Sequence, residues 1–222
     1  MKGIIMQNFF KFLFMLCIYI IPIEFINAQD NIADRENMVE VRQTAMQAMW
    51  ARLDRLSTLI AQPGDTITSS DGSSIVIGSQ NSTDPIEYYA LIHGKEATQD
   101  ASEINSLLSQ VEKFWTNNTS IHHVDYTNAE QLIWLIPEAF ERYYTDALIA
   151  SENLNKSFST KDNEKIKRSV CMLALSCGRC HGAFRKVRWD NLRKEGRGWT
   201  GSYETCWTYR NEITLNSSAI RN

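Results

Sequence analysis

Beyond residue 28 this chain has no long apolar run, no excess of basic charge, no internal repeat and few cysteines. Each shortage removes a class of protein. The apolar run that does exist, Phe12 to Ile23 with Pro22 inside it, is short of the ~20 residues of a comfortable bilayer span. Lys2 and Lys11 give it a positive start, and Ile26-Asn27-Ala28 ends in a small residue. Residues 1–28 therefore read as a cleaved secretion signal, and the mature chain is expected to be soluble and periplasmic. The whole chain carries 23 Lys and Arg against 26 Asp and Glu. Removing Lys2, Lys11 and Glu24 leaves 21 against 25, which is not the profile of a nucleic-acid binder. The 194 residues that remain suffice for one domain with a real core, plus a small appendage.

Of the five cysteines, Cys17 lies inside the apolar run, behind a Leu16 too large for a lipid-attachment site. Four are left: Cys171, Cys177, Cys180 and Cys206. Two of these sit in Cys177-Gly178-Arg179-Cys180-His181. C-x-x-C-H is the attachment signature of a c-type haem. The two thiols add to the vinyl groups and the adjacent imidazole takes one axial position on the iron. On a helix, positions i, i+3 and i+4 share a face, so all three side chains can meet one planar group. Cys171 and Cys206 remain in an oxidising compartment, where they either pair or stay two unrelated thiols.

Four segments carry helical periodicity. The first, about 34–61, has Met38, Val41, Ala45, Met49, Leu53, Leu56 and Ile60 as its stripe and ends at Pro63-Gly64. The second, about 96–115, has Ala97, Ala101, Ile104, Leu108, Val111 and Trp115. The third opens near Pro137, which suits a first helical turn, and shows Phe140, Tyr144, Ala147, Ser151, Leu154 and Phe158. The fourth follows Ser159-Thr160 and carries Ile166, Val170, Leu173, Cys177, His181 and Phe184. The haem motif thus falls on the apolar face of the fourth helix. Four stripes that need burial predict an all-α four-helix bundle, an architecture that builds cofactor sites between facing helices. The expected organisation is a signal at 1–28, a bundle at 29–188 and a C-terminal extension at 189–222. The bundle is interrupted by a polar surface excursion at 65–95, with a small hairpin around Ile75-Val76-Ile77. Trp189, Trp199 and Trp207 predict that the extension packs on the bundle.

The segment Cys177–Lys186 reads C-G-R-C-H-G-A-F-R-K, and Arg42-Gln43-Thr44-Ala45-Met46-Gln47-Ala48-Met49 lies in the first helix. In these two places, and in the spacing from Trp134 through Phe140, the chain resembles the cytochrome c-prime family, the class II c-type cytochromes that include the c-556 type. The resemblance covers roughly residues 34–62 and 96–188. It implies haem c, one per chain, covalently bound near the end of the fourth helix. It implies His181 as the proximal iron ligand, Arg185 beside it, Arg42 near the haem edge and Met46 closing the distal face. A non-coordinating Met46 leaves the iron open to small gases such as nitric oxide or carbon monoxide. A coordinating Met46 gives the His/Met ligation of electron carriers, and Met49 is a second candidate ligand. Either residue can equally be an ordinary core methionine.

The implied function is electron transfer or gas binding in an exported protein that is not an enzyme, since no distal His–Arg pair supports a peroxidase. The implied partners are haem, a redox partner protein and a second copy in a homodimer. The basic cluster Arg185, Lys186, Arg188, Arg193, Lys194 and Arg197 either docks a redox partner or is a solvated face. His93, His122 and His123 lie in polar stretches and are read as solvated. The competing reading is a thiol–disulfide oxidoreductase using Cys177 and Cys180, which would require a thioredoxin-like βαβ context.

Overall fold

Amphipathic stripes of this length can be buried only against one another, and four long helices do so. The computed structural model describes residues 32–60, 66–68, 74–76, 84–115, 118–186 and 204–209. Helix α1 spans 32–56 and tightens into a 3₁₀ turn at Ser57–Leu59. There the Ser57 and Thr58 hydroxyls donate back to the carbonyls of Asp54 and Arg55. A hairpin follows, with β1 (Thr66–Thr68) antiparallel to β2 (Ser74–Val76) and Ile67 opposite Ile75. Next come α2 (Pro85–His93), α3 (Ala97–Val111) with a 3₁₀ turn at Glu112–Trp115, the short α4 (Leu132–Leu135), α5 (Pro137–Phe158) and α6 (Asn163–Phe184). None of these helices is long and apolar enough to cross a membrane.

The bundle consists of α1, α3, α5 and α6. Cross-links fix its antiparallel order. Arg42 of α1 donates to the Phe114 carbonyl at 3.2 Å, whereas Arg55, further along α1, reaches Asp100 at the start of α3. Tyr144 of α5 donates to the Leu108 carbonyl, and Asn105 of α3 donates to the Ser151 hydroxyl at 2.8 Å. Arg179 of α6 lies 3.8 Å from Asp146, and Phe184 packs edge-on against Tyr143. The shared core runs through Leu56, Ile104, Leu154, Ile166, Val170 and Leu173, all at most 2% exposed.

The caps follow local chemistry. Asp162 precedes α6 in extended conformation and accepts from the Glu164 and Lys165 amides, both at 3.1 Å. Those are two of the four amides a helix start leaves without partners. Asp162→Ala is expected to lower the urea midpoint with an unchanged slope. Gly94, at φ 63°, closes α2 by donating to the Ala90 carbonyl, a left-handed position that favours glycine.

Two sequence expectations change. Residues 85–93, assigned to a surface excursion, are α2, and its Tyr89 is fully buried. Along α1 the buried positions at the N-terminal end are Val39 and Arg42, while Val41 is 41% exposed and Met38 and Ala45 are half-buried. Stepping back from Met49 by three, four and three residues passes through Met46, Arg42 and Val39. A purely apolar count rejects that stripe because it contains an arginine. The signal region 1–28, Trp189, Trp199 and most of the extension lie outside the described residues.

Of the extension, the 3₁₀ turn Glu204–Tyr209 is described, and it packs on α6. Cys206 in this turn is joined to Cys171 of α6, with Cα atoms 5.1 Å apart.

Candidate functional site

The last two turns of α6 carry the site. Helix α6 ends because Arg185 leaves helical geometry, its amide still donating to the His181 carbonyl at 3.0 Å. The connecting segment before α4 then locks that end in place. Glu130 donates to the Phe184 carbonyl at 2.9 Å, Lys186 donates to the Asn128 carbonyl at 2.7 Å, and Ala129 bridges Arg185. The positions of Cys177, Cys180 and His181 are thereby fixed from below the final turn.

Cross-helix contacts carry the level of His181 to α5 near Tyr144 and Asp146, then to α3 near Leu108, then to α1 near Met46 and Met49. At this level the stripes open. Val170 and Leu173 of α6, and Leu53 and Leu56 of α1, are buried. Met46, Cys177, Cys180 and His181 continue the same stripes but are each only half-buried. Bundle interiors are otherwise close-packed, so this row of half-buried core positions marks a gap in the packing. Met49 lies on the closed side, 8% exposed within the core cluster, and Met46 is packed against the edge of that cluster.

The chemistry of the row is specific. Cys177 and Cys180 are unpaired. Burial pushes the Cys177 thiol up to about 12, with the neighbouring Cys180 adding to the effect, and pushes Cys180 up to about 11. A catalytic dithiol needs a depressed value, and among the described residues the strands form only the β1–β2 hairpin, not a βαβ unit. The geometry therefore does not supply the oxidoreductase alternative. Burial, and secondarily the Arg185 charge, hold the His181 imidazole down at about 4. It is neutral at ordinary pH, as a metal ligand must be. Its Nδ1 is buried with no hydrogen-bond partner. Two thiols, a neutral imidazole with an orphaned nitrogen and a gap between helices together fit a haem.

Arg42 is 3% exposed and its guanidinium lies 4.2 Å from the Trp115 ring centroid and 5.9 Å from that of Trp134. Burial lowers it to about 10, so it remains a cation at neutral pH. Its Nη2 and the Trp115 Nε1 are both buried and unpartnered. Two orphaned donors at one contact suit a carboxylate, such as a haem propionate. Trp115 and Trp134 were not singled out as site residues by sequence reasoning. The apolar face of α3 would read Trp115 as core, and only its pairing with Arg42 shows otherwise.

The remaining expectations fall as follows. Arg185 is exposed, one turn beyond His181. Arg179 lies over the Tyr143 ring at 5.2 Å. His122 and His123 are exposed in the loop after α3. His93 is half-buried rather than solvated, its ring tilted against that of Tyr89 at the other end of the bundle.

A dithiol–imidazole set at the end of the last helix of an antiparallel four-helix bundle is an arrangement suited to holding a haem. The family model described as cytochrome C' matches residues 84–185, somewhat under half of the chain. Its solved relatives agree in fold. Cytochrome c' from Rhodobacter spheriodes is 18% identical, with a TM-score of 0.51 over 69% of this chain and 98% of that one. A nitric oxide complex of a cytochrome c prime variant from Alcaligenes xylosoxidans is 18% identical, with a TM-score of 0.50 over 69% and 97%. A ferrous variant of the same protein with bound nitric oxide is 16% identical, also at 0.50 over 69% and 97%. No curated protein sequence matches. The family match begins at Asp84 and so does not include α1, where Arg42 and Met46 lie.

Proposed function

We propose that this chain is an exported c-type cytochrome of the cytochrome c-prime class, binding one haem covalently through Cys177 and Cys180 and acting in electron transfer or the binding of small gases such as nitric oxide. The observation that carries it is the row of half-buried stripe positions, Met46, Cys177, Cys180 and His181, in an otherwise buried core. Cys177 and Cys180 would tether the haem, His181 would ligate it, Arg42 would neutralise a carboxylate that Trp115 also hydrogen-bonds, and Met46 would face the gap from α1. A bound haem would supply a redox-active iron, with the His181 imidazole as the side chain that would ligate it.

Met46 decides between the two activities. Packed against the core edge while Met49 is fixed inside it, Met46 acts as a non-coordinating side chain that crowds the face opposite His181. Gas binding under steric control is the activity this favours. Expression with c-haem attachment machinery should give a broad high-spin ferrous spectrum. Met46→Ala should keep that spectrum and bind nitric oxide or carbon monoxide more readily, by tenfold or more, since truncating a long side chain removes the crowding. A sharp low-spin ferrous alpha band that disappears in Met46→Ala would instead make Met46 the sixth ligand and electron transfer the function.

A further inference from the structure

We propose that the Cys171–Cys206 disulfide sorts the four thiols downstream of residue 28, withdrawing Cys171 from competition so that Cys177 and Cys180 stay a dithiol for haem attachment. The proposal rests on the covalent haem reading above.

Cys171 lies on α6 itself, six residues before Cys177. Six residues rise about 9 Å along a helix, beyond the ~7 Å between Cα atoms that a disulfide spans. In the folded helix Cys171 cannot reach either haem cysteine. In the unfolded chain no such barrier exists. Cys171 lies six and nine residues from Cys177 and Cys180, against 35 from Cys206. Loop closure favours the shortest of these pairings over the native one by on the order of tenfold. The native pairing must therefore be selected by folding, and the structure shows how. The turn Glu204–Tyr209 docks on α6, Tyr209 packs against the core, and both bridged cysteines are fully buried. Cys177 and Cys180 remain unpaired at the gap. The loop closed by the disulfide contains the entire Cys177–His181 motif.

The two fates are chemically distinct. In thioether formation the sulfur bonds to one vinyl carbon and its proton goes to the other, so no electron leaves and a free S–H is required. In disulfide formation two thiols give up two protons and two electrons to an oxidant, here another disulfide acting by exchange. A Cys177 or Cys180 captured by Cys171 has no S–H to add.

The test compares the full chain, Cys206→Ser, and the double variant Cys171→Ser with Cys206→Ser, each produced with c-haem attachment machinery in an oxidising compartment. Covalent haem per chain is measured, and alkylation followed by peptide mass mapping locates free and bridged thiols. The expected result is a several-fold loss of haem in Cys206→Ser, with Cys171 bridged to Cys177 or Cys180 in the haem-free fraction. The double variant should return to within about twofold of the natural chain, because the competing thiol is gone although the tail is untethered. Normal loading of Cys206→Ser overturns the proposal. So does a double variant as poor as the single one, since tail anchoring would then be the disulfide's role. If the natural chain itself takes up no covalent haem, the functional reading fails. The thiol map still decides the proposal in that case, because a free Cys171 in Cys206→Ser overturns it.

Discussion

Replacing Cys177 and Cys180 together by alanine should abolish covalent haem. Among the described residues these are the two free thiols, since Cys171 and Cys206 are bridged and sealed from solvent. No other described sulfur can form a thioether. Neither cysteine holds α6 in place: its start is capped by Asp162 and its end by the backbone pairing around Asn128 and Glu130. The variant should therefore keep its helical circular dichroism while a denaturing gel stained for haem goes from positive to blank. Either single alanine should retain one thioether and shift the alpha band of the pyridine haemochrome, because one vinyl group stays unsaturated. His181→Ala separates tethering from ligation. It should keep the covalent stain but lose the imidazole-ligated spectrum, and added imidazole should restore part of it. Persistence of covalent haem in the double alanine variant would remove the C-x-x-C-H motif from the site.

How much of this was legible in the sequence depended on whether the chemistry was local. The starts and buried faces of helices α5 and α6 were readable. Pro137 sets the first turn of one, Ser159-Thr160 precedes the other, and their stripes are apolar apart from Ser151 and His181. The C-x-x-C-H motif was legible for the same reason, since its spacing is a property of one helix. Helix α2 was not readable, because its Tyr89 is buried through a carboxylate contributed by another element, and a polar neighbourhood in sequence looks like a loop. Arg42 was invisible to an apolar count. Its burial depends on the Trp115 and Trp134 rings and the Phe114 carbonyl, more than 70 residues away. Resemblance to a family located it where periodicity could not. The pairing of Cys171 with Cys206 was likewise open, since four thiols permit several connectivities and only the docking of Glu204–Tyr209 on α6 selects one.

Asp100→Asn should lower stability by about 3 kcal/mol without changing the haem spectrum. Asp100 is fully buried at the end of the bundle remote from Cys177. It accepts from Arg55 through both oxygens at 2.6 and 2.8 Å, from Lys95 at 2.7 Å and from the Tyr89 hydroxyl. One carboxylate thus joins α1, α2, α3 and the turn between α2 and α3. Breaking a buried pair from one side costs about 3–5 kcal/mol, because the partner charge stays desolvated. The lower end applies here, since Arg55 and Lys95 are 29% and 24% exposed and can turn partly to water. Burial alone would raise the carboxyl, but the hydrogen bonds from Arg55, Lys95 and Tyr89 outweigh it and hold Asp100 at about 2, against a usual 3.8. A folded value below the unfolded one means that the unfolded chain binds the extra proton. The stabilisation is therefore complete above about pH 4 and is lost as pH falls towards 2, to the extent of about 2 kcal/mol. Urea midpoints at pH 7 and pH 2.5 test both halves of the prediction. The natural chain should lose this increment on acidification beyond what Asp100→Asn loses, and the two curves should approach one another at low pH. Parallel curves would show that Asp100 is not held as a carboxylate by this network. Equal midpoints at pH 7 would show that the pairs only offset their own desolvation.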